Sequence, residues 1–211
     1  DVRAGQLLPE VNAHRNTFDR FNPTWVSEAQ EFGFHATIGH AINFDSSRLG
    51  LIEAGIESVL NLFDPQKAFL LTPTDEFLDA SDLNLTFYYH ANQPFMMFHA
   101  MIVALLHPLG YSTPFSIEHD SGLHPDMATF HQHRLQMYYQ HWILDDWFPH
   151  LRILGHITDD DPKRIRPQIL KVMPEPEVLT VNSLCLVIKE DNETHFKLHR
   201  EFMREDYPKQ P

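Results

Sequence analysis

Phe148-Pro149-His150-Leu151-Arg152-Ile153-Leu154 is a short run in which a histidine opens an apolar stretch and a cationic side chain follows two positions later. The pattern predicts a strand over residues 150–157. In a strand, residues i and i+2 share a face, so His150 and Arg152 point the same way. A second run of the same shape, Gly33-Phe34-His35-Ala36-Thr37-Ile38, lies far upstream. It predicts a strand over residues 34–44 with His35 and Thr37 on one face. Were the two strands neighbours, two imidazoles and two anion-binding groups would meet at one spot, an arrangement suited to acid–base chemistry on a phosphate.

The elements around these runs alternate in type. Asp45-Ser46-Ser47 predicts a helix N-cap, and Leu49, Ile52, Ile56, Val59 and Leu60 follow at helical spacing, an amphipathic helix ending near Asp64-Pro65. Residues 68–71 and 83–90 read as strands, and residues 92–109 as a second helix closed by Gly110. Residues 115–118 read as a short strand and residues 125–142 as a third helix. A short helix is expected from Asp161-Pro162 to Leu170, then strands over 178–189 and 194–202 turned at Asp191-Asn192. Strands and helices interspersed in this way, with a hairpin at the end, predict the α+β class.

Bulk properties narrow the function. The 211 residues suit one large domain or two packed halves; we expect an N-terminal extension over residues 1–31 and a single bilobal domain over residues 32–211. A formal charge of −13 argues against long duplex nucleic acid as a partner but is compatible with a small anion in a local basic pocket. No apolar run is long enough to span a bilayer, so no membrane partner is expected. Cys185 is the single cysteine and suits a reducing compartment; the expectation is a cytoplasmic protein.

The two histidine runs and the closing hairpin, Val181-Asn182-Ser183-Leu184-Cys185-Leu186-Val187-Ile188 followed by His195-Phe196-Lys197-Leu198, resemble the two-histidine (2H) phosphoesterase superfamily. That superfamily includes 2′,5′ RNA ligase-like proteins and cyclic nucleotide phosphodiesterases and carries two H-x-T/S motifs on strands. The first run is most similar to the form in the branch associated with bacterial phosphonate metabolism. The second departs from the pattern at Arg152, where the family has Thr or Ser. The resemblance implies a bilobal, pseudo-symmetric arrangement of two antiparallel sheets facing a central groove, with helices outside. It implies His35 and His150 as the acid–base pair, and Thr37 and Arg152 as the groups holding the phosphate. The implied activity is hydrolysis of a small cyclic phosphate or a short 2′,3′- or 2′,5′-linked nucleotide, with no cofactor and no metal.

Each feature also has a plain reading. A lone strand histidine is usually a surface or satisfied side chain, Thr37 is a good strand residue, and Arg152 could pair with the Asp159-Asp160-Asp161 run. On that basis the alternative is a phosphate-ester binding protein with a degenerate second motif. His119-Asp120-Ser121 is a rival second motif, but Gly122 and Pro125 break any strand there. The histidines at 119, 124, 131 and 133, with Asp120 and Asp126, suggest a His-rich divalent-metal enzyme as a further alternative, although no tight helical ligand pair is present. In Phe87-Tyr88-Tyr89-His90 the alternation puts Phe87 and Tyr89 on one face and Tyr88 and His90 on the other, suited to packing on one side and to stacking on a base or sugar on the other.

Overall fold

A computed structural model describes Trp25 and residues 35–39, 41–64, 67–81, 84–111, 129–138, 143–155, 157, 162–171, 177–193 and 196–203. These residues form strands β1 (Phe69–Ser81), β2 (Asn84–Ala91), β3 (His150–Leu154), β4 (Leu179–Val181), β5 (Ser183–Ile188) and β6 (Lys197–Met203). They also form helices α1 (Leu49–Leu60), α2 (Gln93–Leu106), α3 (Thr129–Tyr138) and α4 (Pro162–Leu170), with 3-10 turns at Ser46–Arg48 and Leu144–Asp146. The fold is mixed α+β with two antiparallel sheets: one of four strands in the order β3-β2-β1-β4, and the β5-β6 hairpin. Among the described residues no helix is long and apolar enough to cross a membrane.

The chain forms two compact units. One takes the described residues up to Ala36, those within Leu71–His90 and those within Pro149–Met203; the other takes those within Thr37–Leu70 and Ala91–Phe148.

In the first unit β2 lies between β1 and β3, so it is flanked on both edges. Leu85, Phe87 and Tyr89 on one of its faces are buried, and the Phe77 ring of β1 stacks on Phe87 at 4.4 Å and meets Tyr89 edge-on at 5.4 Å. Burying each such side chain stabilises the fold by roughly 1.5–3 kcal/mol. β3 pairs with Tyr88↔His150, Phe87↔Leu151 and Thr86↔Arg152, and the register then shifts so that Leu85 faces Leu154. The extra residue is Ile153. Strict alternation would send residue 154 to the face of His150 and Arg152; the shift instead returns Leu154, which is fully buried, to the face of Leu85. α4 buries Pro162, Ile165 and Ile169, and its Arg166 Nε donates to the Leu78 carbonyl of β1 at 2.8 Å. In the hairpin Leu184 and Phe202 pair and are buried, while the Arg200 guanidinium lies 4.8 Å over the Phe202 ring.

In the second unit Asp45 opens the first helical turn by accepting from the Ser47 N–H at 2.8 Å; hydrogen bonding from the Ser47 side chain, and then from this N–H, holds its carboxyl below the usual range. α1 buries Ile52, Ile56 and Val59; α2 buries Phe95, Phe98, His99, Ile102, Val103 and Leu106. α1 and α2 approach closely at Gly55, where a β-carbon would lie 2.6 Å from the Leu105 Cδ1. Asn92 is the N-cap of α2. Its Oδ1 accepts from the Phe95 and Leu70 N–H groups, and its Nδ2 donates to the Ala68 carbonyl at 2.8 Å, so one amide ties the helix to the start of β1. Phe69, Phe95 and Phe98 pack as an aromatic cluster with Phe63 and Trp147. Arg134 of α3 forks across Asp145 and Asp146.

Three predicted elements differ. Residues 35–38 are irregular and Gly39 is a bend, so the strand predicted over residues 34–44 is not formed among the described residues there; Asn43 makes only an isolated bridge. The strand predicted over residues 178–189 breaks at Asn182 into β4 and β5, which belong to different sheets. β1 runs well beyond the predicted residues 68–71, despite Pro73. The predicted strand at residues 115–118, the His119-Asp120-Ser121 motif and the ends of the third helix lie outside the described residues, as do Asp159 to Asp161.

Candidate functional site

β3 carries two of the four expected site residues. His150 and Arg152 share one face, two positions apart, and across the ladder Tyr88 stands opposite His150 and Thr86 opposite Arg152. The Tyr88 and His150 rings are 5.8 Å apart between centroids and tilted by 39°. This face grades from covered to open. Thr86 is buried, Tyr88, His150 and Arg152 are half-buried, and His90, two positions beyond Tyr88, is exposed. The Arg152 Nε is itself shielded from solvent.

The side chains of this face are rich in donors. They are imidazoles, a phenol, a guanidinium and a hydroxyl, all able to donate to oxygen. Neither β2 (Asn-Leu-Thr-Phe-Tyr-Tyr-His-Ala) nor β3 (His-Leu-Arg-Ile-Leu) contains an acidic residue. In a chain with 29 Asp and Glu against 16 Lys and Arg, that stretch is unusual in sign.

The other two expected residues sit differently. His35 is exposed on irregular backbone and belongs to the same compact unit as His150 and Arg152. Thr37 is also exposed but belongs to the second unit. The i, i+2 rule that would place His35 and Thr37 on one face holds for a strand, and here the strand is absent. Two side chains distant in sequence account for this. The Thr37 carbonyl accepts from the Trp147 indole N–H at 3.0 Å, and the Ile38 carbonyl accepts from His99 Nδ1 at 2.5 Å. Side chains, not a neighbouring strand, take these backbone groups.

His99 was not among the expected residues and is the buried polar centre of the second unit, 1% exposed. Its Nε2 accepts the Leu144 N–H at 2.9 Å. An amide N–H can only donate, so Nε2 carries no proton, Nδ1–H donates to Ile38, and the ring is neutral. The sequence signal for it was weak: one histidine inside an otherwise apolar helix.

Tyr88 and His90 also fell outside the motif positions. Their common face was readable from the alternation in β2; that β3 would lie against it was not. For the metal alternative, His119 and His124 lie outside the described residues and His133 is exposed on α3. Among the described residues no group of three His, Cys, Asp or Glu side chains is placed to hold a metal ion. No family model, curated protein or solved structure matches the chain.

Proposed function

We propose that the chain is a metal-independent phosphodiesterase that hydrolyses a small cyclic phosphate or a short 2′,3′- or 2′,5′-linked nucleotide. The observation that carries this reading is the shared face of His150 and Arg152 on β3, with Tyr88 across from His150 and no acidic residue on either strand. His35, in the same unit, is the second imidazole of the proposal. One neutral imidazole takes a proton from water as the water oxygen bonds to phosphorus. The other, protonated, gives its proton to the departing ester oxygen as that P–O bond breaks, leaving a phosphomonoester. The Arg152 guanidinium grips non-bridging oxygens and offsets the charge that grows on them. The bilobal, pseudo-symmetric arrangement implied by the resemblance and a cytoplasmic location belong to the same proposal.

A second reading is a phosphate-ester binding protein without turnover. It is favoured by Arg152 in place of a hydroxyl residue and by the irregular backbone at His35. Hydrolysis of a panel of cyclic phosphates by wild type, His35→Ala and His150→Ala separates the two. The first reading expects turnover by wild type and its loss in both variants. Binding with no product from any of the three favours the second.

A further inference from the structure

We propose that His99 is an acid-sensitive latch inside the second unit: uptake of a proton breaks its hold on Leu144 and loosens residues 37–38. The idea is independent of the phosphodiesterase reading. Leu144 has a φ of 61°, a left-handed backbone that a leucine adopts only under strain. Its N–H donates to His99 Nε2 at 2.9 Å, so a lone pair on a titratable ring holds the strained turn. The other ring nitrogen donates to the Ile38 carbonyl. The ring face lies on Trp147, whose indole N–H donates to the Thr37 carbonyl. Thr37 and Ile38 open the second unit, directly after the chain leaves the first at Ala36. One imidazole thus joins α2, a strained turn and the entry segment of the unit.

The sign of the pH effect follows from this bonding. An imidazole in water takes up its second proton near pH ~6.5. In the latched ring Nδ1 already carries a hydrogen, so the proton must go to Nε2. Two N–H groups then face each other where a donor met an acceptor, and a charge sits in a site 1% exposed. Stacking on an indole favours a cation, but only in the pose that sets these two N–H groups against each other. Among the described residues, the elements packed against α2 carry Glu53 and Glu57 on α1, and Asp145 and Asp146 on the 3-10 turn. α1 buries Ile52, Ile56 and Val59, not its glutamates, and Arg134 already matches both aspartates. α2 itself has His107 at its C-cap, about two turns from His99, and residues 37–39 carry no charge. The closed latch therefore stays neutral while the opened one takes the proton. Its stability is complete above pH ~6.5 and is lost as pH falls below that value.

The test is hydrogen exchange of the full chain, followed by mass spectrometry on peptides covering residues 143–147 and 37–39. Protection is taken relative to the unstructured exchange rate at each pH. In wild type it should fall about tenfold between about pH 7.5 and about pH 5.5, while peptides from β2 keep theirs. In His99→Gln, whatever the protection near neutrality, it should change by less than about twofold over the same interval. Leu144→Gly relaxes the backbone and keeps the ring, so protection should rise a few-fold at both pH values with the tenfold fall retained. No fall in wild type, an equal fall in β2, or the same fall in His99→Gln overturns the proposal. Should His99→Gln not fold, nitrogen shifts of the wild-type His99 ring decide. A neutral ring with its hydrogen on Nδ1 near pH 7.5 is expected, and a hydrogen on Nε2 overturns the latch.

Discussion

The His99 imidazole lies flat against the Trp147 indole, with centroids 4.1 Å apart and planes 7° from parallel. Each ring also holds a backbone carbonyl just downstream of His35, Ile38 for His99 and Thr37 for Trp147. Replacing His99 by Phe preserves a stackable ring but leaves the Leu144 N–H and the Ile38 carbonyl without their partner. Orphaning two part-buried backbone groups should cost about 3 kcal/mol. Urea denaturation measures it, and a loss below about 0.5 kcal/mol would show that water replaces both bonds.

The catalytic proposal gives a second expectation. His150→Ala removes a half-buried ring from an edge strand, so the fold should survive while turnover of a cyclic phosphate drops by about 10²–10⁴-fold. Arg152→Lys keeps the charge but not the planar fork and should lower kcat/KM by about tenfold. Steady-state rates on one substrate, with circular dichroism to check folding, decide both. Wild-type rates in His150→Ala would end the proposal.

Alkaline pH should weaken the fold through Tyr89. Burial holds its phenol above the usual range, so the folded chain keeps that proton to higher pH than the unfolded chain. The resulting stability is complete below the unfolded value of about 10 and is lost as pH rises through the folded one. Urea midpoints should therefore decline above about pH 10, and Tyr89→Phe should flatten the decline. An equal slope in both proteins would place the effect elsewhere.

Asn92 offers a test of local wiring. Asn92→Ala removes the cap of α2 and the amide bonds to Ala68 and Leu70 together. The expected loss is about 2 kcal/mol, more than a solvent-exposed cap alone would give. Asn92→Asp keeps the acceptor and loses the donor, and should recover about half. Thermal denaturation of the pair checks the split.

Local signals were legible in the sequence where a few adjacent residues decide the outcome. Asp45 capping, the spacing of Ile52, Ile56 and Val59, and the alternation through β2 all depend on near neighbours, and all appear in the fold. Contacts distant in sequence were not legible. Residues 34–44 carry strand-like alternation, yet side chains 61 and 110 positions away claim the carbonyls of Ile38 and Thr37. The polar stretch Thr72 to Glu76, with Pro73, gives little strand signal, and it becomes strand within a partnered sheet. For the site, the sequence shows that His150 and Arg152 share a face. That Tyr88 and Thr86 stand opposite them is set by the β2–β3 register, which no local pattern reports.

The unit that holds β2 and β3 is drawn from separated stretches of chain, with the second unit's residues threaded between them. During synthesis β2 emerges with a flanking edge unmet and waits for more than half a hundred further residues, roughly several seconds at cellular elongation rates, before β3 exists to close it. Folding of this unit is thus a late, slow event dominated by distant partners. No contiguous fragment can stand in for it, and a ribosome stalled before residue 150 should display a chain that chaperones still hold.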